Sequence, residues 1–246
     1  MSNTEAQLNE IFSSFQGEGL YVGERQTFIR FAGCNLSCAY CDTPQALALT
    51  KEYAVRTEKE SKKHNNPVSV QQLLELTLAY PKNLTHSVSL TGGEPLLQVD
   101  FLKNFLPELR KEKLLVYLET NGVLPKHLEE IIDLVDIVSF DIKLPSATGL
   151  SPYWKEHKAA LEVAYTKQVF TKVVVTKESK PKEIDEAATL IAEIDADIPL
   201  IIQPVTPHGH IKKPSPEELF SFHAIAKRKL KQVRVIPQVH KLSGLL

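Results

Sequence analysis

Gly33-Cys34-Asn35-Leu36-Ser37-Cys38-Ala39-Tyr40-Cys41-Asp42-Thr43 gathers all 3 cysteines of the chain into one loop with the spacing C-x3-C-x2-C. A disulfide framework would be even in number and dispersed, and buried structural thiols would be scattered. Thiolates are soft ligands suited to iron–sulfur clusters or to zinc. A structural zinc normally takes four protein ligands, and a cubane cluster has four irons to satisfy. Three cysteines on one loop therefore leave one position open. Zinc would need a remote fourth ligand, for which His64, His208, His210 and His240 are available. On a cluster the open iron is itself useful, because a cofactor or substrate can chelate it.

Around this loop, short β-branched or apolar runs alternate with helical patterns. Strands are expected at Thr27–Phe31, Ser87–Thr91, Leu115–Glu119, Ile137–Ile142, Val169–Thr176, Leu200–Gln203 and Val233–Pro237. Apolar residues recur at helical spacing in Val70–Leu78, Phe101–Leu109 and Ile184–Ala192. Ser69 and Ser215 suit helix N-caps, the second followed by Pro216 at the first helical position. Such alternation argues for parallel β-α units, whose chemistry gathers beyond the carboxyl ends of the strands. Thr91-Gly92-Gly93-Glu94, Glu119-Thr120-Asn121-Gly122, Asp141-Ile142-Lys143 and Gln203-Pro204 each stand where a strand runs out. The expected fold class is α/β: a partial (β/α) barrel of about six parallel strands, short of the eight of a closed one, in one domain spanning 1–246. Pro44–Pro67 breaks the rhythm with Lys51, Glu52, Arg56, Glu58, Lys59, Glu60, Lys62 and Lys63. It reads as an insertion, either a solvated loop with a short helix or a lid or docking element.

Composition narrows the class. Hydrophobic residues make up 43% and charged residues 24%, the balance of a globular protein that can bury a core. The net charge of -1 gives no support to a protein held to nucleic acid by bulk charge. No apolar run approaches the ~20 residues of a membrane span, and the N-terminus has no basic segment leading into an apolar one. A cytoplasmic address is the default expectation.

The cysteine spacing, the aromatic Tyr40 before the last cysteine and the Thr91-Gly92-Gly93-Glu94-Pro95 turn one β-α unit later resemble the radical S-adenosylmethionine (SAM) superfamily. That resemblance implies a [4Fe–4S] cluster on Cys34, Cys38 and Cys41, with SAM on the open iron. One electron would then cleave SAM to a 5′-deoxyadenosyl radical that takes hydrogen from substrate. Phe15-Gln16-Gly17-Glu18-Gly19, Arg30 to Gly33 and Asp42-Thr43 narrow the resemblance to the 7-carboxy-7-deazaguanine synthase family of queuosine biosynthesis. That family contracts 6-carboxy-5,6,7,8-tetrahydropterin with loss of ammonia, in a magnesium-dependent reaction.

The resemblance implies that Phe15, Gln16, Gly17 and Thr91 line the pterin, and that Arg30 pairs with its carboxylate, a task suited to a planar guanidinium. Thr43 would offer its hydroxyl to Mg²⁺, a hard cation that takes oxygen ligands; a helix N-cap is its other reading. The positions matching SAM contacts are Tyr40, Cys41, Asp42, Gly93, Asp141, Ile142, Lys143, Gln203, Pro204, Val205 and Thr206, with Glu119 and Asn121 as additions. Asp141-Ile142 stands where some members have Ser-Pro. Gln238 and His240-Lys241 resemble a Gln-x-His-Lys ending, but the chain runs on past Lys241, so no role is carried over to them. The family implies a homodimer and a flavodoxin- or ferredoxin-type reductant, while the charge and the apolar runs point to neither nucleic acid nor membrane as partner.

Three alternatives stand beside this reading. A glycyl-radical activase would share the cysteine spacing and the glycine turn, though there His-Asn tends to follow the last cysteine. Another radical SAM enzyme could act on a different small molecule. A non-enzymatic iron–sulfur carrier or zinc module would be expected to have a fourth cysteine. His208-Gly209-His210 reads as a solvated turn, and Lys227 to Arg234 as a solvated basic face at a helix end.

Overall fold

The computed structural model describes residues 4–57 and 60–245. Met1 to Asn3, Leu246 and the insertion residues Glu58 and Lys59 lie outside the described residues. In chain order the strands are β1 (Glu5–Ala6), β2 (Leu8–Phe15), β3 (Arg25–Phe31), β4 (Glu52–Arg56), β5 (Ser61–Asn65), β6 (Val68–Ser69), β7 (Ser87–Gly92), β8 (Val116–Thr120), β9 (Ile137–Asp141), β10 (Gln168–Val175), β11 (Leu200–Pro204) and β12 (Val233–Val235). The helices are α1 (Val70–Leu78), α2 (Val99–Lys111), α3 (Pro125–Ile131), α4 (Pro145–Thr148), α5 (Trp154–Ala164), α6 (Pro181–Ala192), α7 (Pro216–Lys227) and α8 (Val239–Ser243).

β1 and β6 form a small antiparallel pair, and the other strands make one sheet in the order β12-β11-β10-β9-β8-β7-β3-β2-β4-β5. From β3 to β12 every neighbour runs parallel. That gives six strands of ordinary length and a short seventh, an open sheet that agrees with the expected partial barrel. Ser69 and Ser215 cap α1 and α7, each in a reciprocal capping box with Gln72 or Glu218. The helices α3 and α5 escaped the sequence reading.

Two expectations need correction. The sequence offers no strand ahead of Thr27, yet Leu8–Phe15 forms β2, an eight-residue strand antiparallel to β3. Its turn begins only at Gln16. The insertion does open with a short 3-10 turn (Pro44–Ala46), but its charged part is not a loop: β4 and β5 form a hairpin, and β4 joins the sheet parallel to β2. Polar composition misled here because an edge hairpin buries few of its side chains.

Alternation along the strands sorts the two faces of the sheet. The outer face packs against the helices: Leu90, Val116, Leu118 and Val138 meet Phe101, Leu102, Phe105, Leu106 and Leu109 of α2 in one buried cluster. Each such side chain contributes on the order of 1.5–3 kcal/mol by leaving water. On the inner face Tyr117, Ile137, Phe170 and Ile201 form a separate buried plug, with Leu20, Tyr21 and Ile236 packed against it. Above that plug the inward positions turn polar, and the cavity begins. Among the described residues no helix is long and apolar enough to cross a membrane.

Candidate active site

A cavity of about 370 Å³ opens at the carboxyl ends of the parallel strands, and the cysteine loop forms one wall. Gly33 turns the chain out of β3 with φ +94, in the region that glycine adopts without cost. The loop is tied at its base by Gly33 N–H to Ala46 O (2.8 Å) and Glu94 N–H to Gly33 O (2.9 Å), and on its flank by Ala39 N–H to Thr148 O (2.9 Å). A Cβ at Gly93 would lie 1.9 Å from Gly33 O. The glycine turn after β7 is therefore required for the cysteine loop to dock.

Cys34, Cys38 and Cys41 all line the cavity and none is disulfide-bonded. Burial pushes the thiols of Cys34 and Cys38 up. The Leu36 N–H points at Cys34 Sγ, 3.4 Å away. Among the described residues, the group whose ligand atoms all lie within 4.8 Å of one another is Glu18, Asp42 and His240, not the three cysteines. Sulfurs around a single zinc, each about 2.3 Å from the metal, would be closer together than that. Their wider spread suits a cluster rather than one ion.

Of the residues expected to bind cofactor or substrate, Phe15, Gln16, Gly17, Arg30, Tyr40, Asp42, Thr43, Thr91, Gly93, Glu119, Asn121, Asp141, Lys143, Gln203 and Val205 border the cavity. Ile142, Pro204 and Thr206 do not. Asp141 and Lys143 face the cavity, so Ile142 between them faces the core, where it is fully buried. Pro204, between Gln203 and Val205, is only half-buried. Thr43 precedes a short 3-10 turn (Pro44–Ala46) without capping it. Its hydroxyl donates to Asp42 Oδ1 at 3.0 Å.

Charge is concentrated at the strand ends. Lys143 Nζ pairs with Asp141 Oδ2 at 2.9 Å and lies 5.4 Å from the centre of the Tyr40 ring. Burial opposes the charge on Lys143, but Asp141, Tyr40 and Cys38 together outweigh it and the ammonium is held above its ordinary range. Two buried acceptors, Asp141 Oδ1 and Gln203 Oε1, have no partner among the described residues. Such orphans are costly unless a ligand donor meets them, and both belong to residues that border the cavity. Glu94 accepts from Leu96 N–H, Asn121 N–H and the Thr120 hydroxyl, and burial pushes its carboxyl up to about 7.

A second set of polar groups is joined to Gln16. Its amide donates to Glu119 Oε1 (3.0 Å) and Gln26 Oε1 (3.1 Å), and the Thr91 hydroxyl donates to Glu119 Oε2 (2.8 Å). Arg30 donates through Nε to Glu10 Oε1 at 2.9 Å.

Several cavity residues were missed by sequence reasoning, or named there without a role, as Gln238 and His240 were. Lys172 pairs with Glu18 and lies 3.5 Å from Asp141. Burial would raise the Glu18 carboxyl, but Lys172 and the Gln238 amide together outweigh it and hold it low. Gln238 donates to Glu18 Oε1 and to Asp42 Oδ2, both at 2.8 Å, so the C-terminal segment ties the turn after β2 to the cysteine loop. His240 and Glu10 complete the wall. A lone lysine in the otherwise apolar Val169–Thr176 was a legible signal, since a charge buried in a strand needs a partner.

An open, mostly parallel sheet whose strand ends face a three-cysteine loop and a Gly-Gly-Glu-Pro turn is the architecture of the radical SAM superfamily. The model of that superfamily matches residues 28–191, more than half of the chain. The chain is 44% identical to the 7-carboxy-7-deazaguanine synthase of Geobacter sulfurreducens over 254 residues, covering 100% of each. It is 36% identical to the enzyme of that name from Methanopyrus kandleri, over 95% of this chain and 91% of that one. The chain belongs to the 7-carboxy-7-deazaguanine synthase family. The crystal structure of QueE from Escherichia coli shares the fold, with a TM-score of 0.65 at 23% identity over 96% of this chain and 95% of that chain.

Proposed function

We propose that this protein converts 6-carboxy-5,6,7,8-tetrahydropterin to 7-carboxy-7-deazaguanine, in 7-deazapurine and queuosine biosynthesis, as a radical SAM lyase. Substrate and product differ by one ammonia, so the conversion needs no net oxidant. The observation that carries the reading is that one cavity brings the three free cysteines together with the polar wall of Gln16, Arg30, Thr91 and Glu119.

Cys34, Cys38 and Cys41 fit a [4Fe–4S] cluster, and Asp141, Gln203, Lys143, Tyr40 and Gly93 fit SAM. Together these groups supply, when bound, the radical that abstracts a substrate hydrogen. The protein's own work is to bind, orient and shelter. Asp141 Oδ1 and Gln203 Oε1 offer acceptors to the amino or hydroxyl groups of SAM, and Gly93 lets that ligand approach the backbone closely. Glu119, expected on the SAM side, is hydrogen-bonded to Gln16 and Thr91. That bonding supports a role for it on the pterin side, where a carboxylate meets the N–H groups of an aminopyrimidine in pairs. Arg30 receives the substrate carboxylate. Thr43 contributes a hydroxyl to Mg²⁺, next to the Asp42 carboxylate. The inner plug beneath the cavity keeps water from the floor.

The remaining parts of the reading are a single domain over 1–246, a homodimer, a flavodoxin- or ferredoxin-type reductant and a cytoplasmic setting. The net charge of -1 supports a small-molecule substrate over nucleic acid.

The test is anaerobic. The protein is reconstituted with iron and sulfide, reduced, and given SAM, the carboxytetrahydropterin and Mg²⁺. Formation of 7-carboxy-7-deazaguanine is the expected result. Release of 5′-deoxyadenosine without ring contraction would retain the superfamily and discard the pterin.

A further inference from the structure

We propose that Arg56, carried by the β4–β5 hairpin, is a positioning residue for the substrate carboxylate: it engages Glu10 so that Arg30 stays free to receive that group. The inference rests on Arg30 being the carboxylate's partner, as proposed above, and it assigns a task to the inserted hairpin.

Glu10 and Arg30 stand directly opposite each other in the β2–β3 register, and β4 runs parallel on the other side of β2 with Arg56 opposite Phe12. Arg56 is thus a diagonal neighbour of Glu10. The two oxygens of Glu10 are divided between the arginines: Oε1 accepts from Arg30 Nε and Oε2 from Arg56 Nε, each at 2.9 Å. The Glu10 and Arg30 side chains are only 11% and 17% exposed, whereas Arg56 reaches solvent at 42%. Arg30 also lies over the Phe12 ring, 5.5 Å from its centre, and Phe12 stacks on Phe28 at 4.9 Å. The Tyr80 hydroxyl donates to Arg56 O at 2.8 Å and fixes the backbone that presents this arginine.

Two consequences follow. Arg30 is held through Nε and its ring contact, and its Nη groups make no hydrogen bond among the described residues. Those Nη groups belong to the fork that meets a carboxylate bidentately. The charge balance is also set. Glu10 alone would neutralise Arg30, and an arriving carboxylate would have to compete with it. With Arg56 on the second oxygen, the trio keeps one net positive charge in a poorly solvated wall, where an opposite charge counts for more than in water.

The experiment compares two probes on the reconstituted enzyme with SAM and Mg²⁺: 6-carboxypterin, and pterin, which lacks the carboxylate. Equilibrium dialysis gives the affinity for each. Arg56→Gln is expected to weaken 6-carboxypterin about tenfold, the loss of one charge-assisted contact, and to leave pterin unchanged. Arg56→Lys should restore most of the preference. In turnover, Arg56→Gln should raise KM and spare kcat. Equal weakening of both probes by Arg56→Gln would mean a merely structural hairpin and overturn the proposal. An intact preference in Arg56→Gln, together with its loss in Arg30→Gln, would also overturn it while leaving the Arg30 assignment standing. An intact preference in Arg30→Gln would instead bring down the assignment on which it rests.

Discussion

His240 packs its imidazole against the backbone of Gly17: a Cβ at Gly17 would lie 2.1 Å from His240 Nδ1. Val239 N–H donates to Gly17 O at 2.9 Å, so the segment entering α8 is seated on the turn after β2 by a hydrogen bond and a close approach. Gly17→Ala is expected to lift His240 and Gln238 from the cavity and lower kcat/KM on the order of 10²-fold, the cost of misplacing a site by about an ångström. Far-ultraviolet circular dichroism should be unchanged. A fully active Gly17→Ala enzyme would show that this seating does not matter.

Thr43→Ala removes the hydroxyl proposed for Mg²⁺ but leaves the Asp42 carboxylate. The Mg²⁺ concentration for half-maximal rate should rise about tenfold or more, with cluster content unchanged. An identical Mg²⁺ titration would remove Thr43 from the metal.

Lys172 is a buried cation between Glu18 and Asp141. Lys172→Met leaves Glu18 without its cation and Asp141 with Lys143 alone, and should destabilise the fold by about 3 kcal/mol, measured by urea unfolding. It should also weaken SAM binding, because Asp141 loses one of its two cations. Wild-type stability in this variant would mean that the carboxylates find other partners.

His157 is fully buried behind the strand ends, with Nε2 3.3 Å from Lys143 N–H and 3.2 Å from Asn121 O. Burial lowers it to about 4. A histidine depressed in the folded state binds protons more readily when unfolded. The stability it supports is therefore present above its unfolded value of about 6.5 and falls as pH drops toward 4, by about 3 kcal/mol in full. His157→Phe should flatten that part of the pH profile of urea unfolding. Equal slopes in variant and wild type would refute the assignment.

The local parts of this protein were written in its sequence. The C-x3-C-x2-C loop, the Gly92-Gly93 turn, the capping boxes at Ser69 and Ser215 and the six main parallel strands depend on spacing and alternation within a few residues, so they could be read without a fold. The strand ends that hold the cavity residues were legible for the same reason, but the resemblance also carried over Ile142, Pro204 and Thr206, which the structure leaves outside the cavity. What tertiary structure decided was pairing. Lys172 meets Glu18 across 154 positions and Gln238 meets Glu18 across 220, and no local pattern encodes such partners. The hairpin at 52–65 escaped because a strand on a sheet edge buries little and carries no apolar alternation. Its position beside β2 brings Arg56 to Glu10, a meeting that exists only once β4 has joined the sheet.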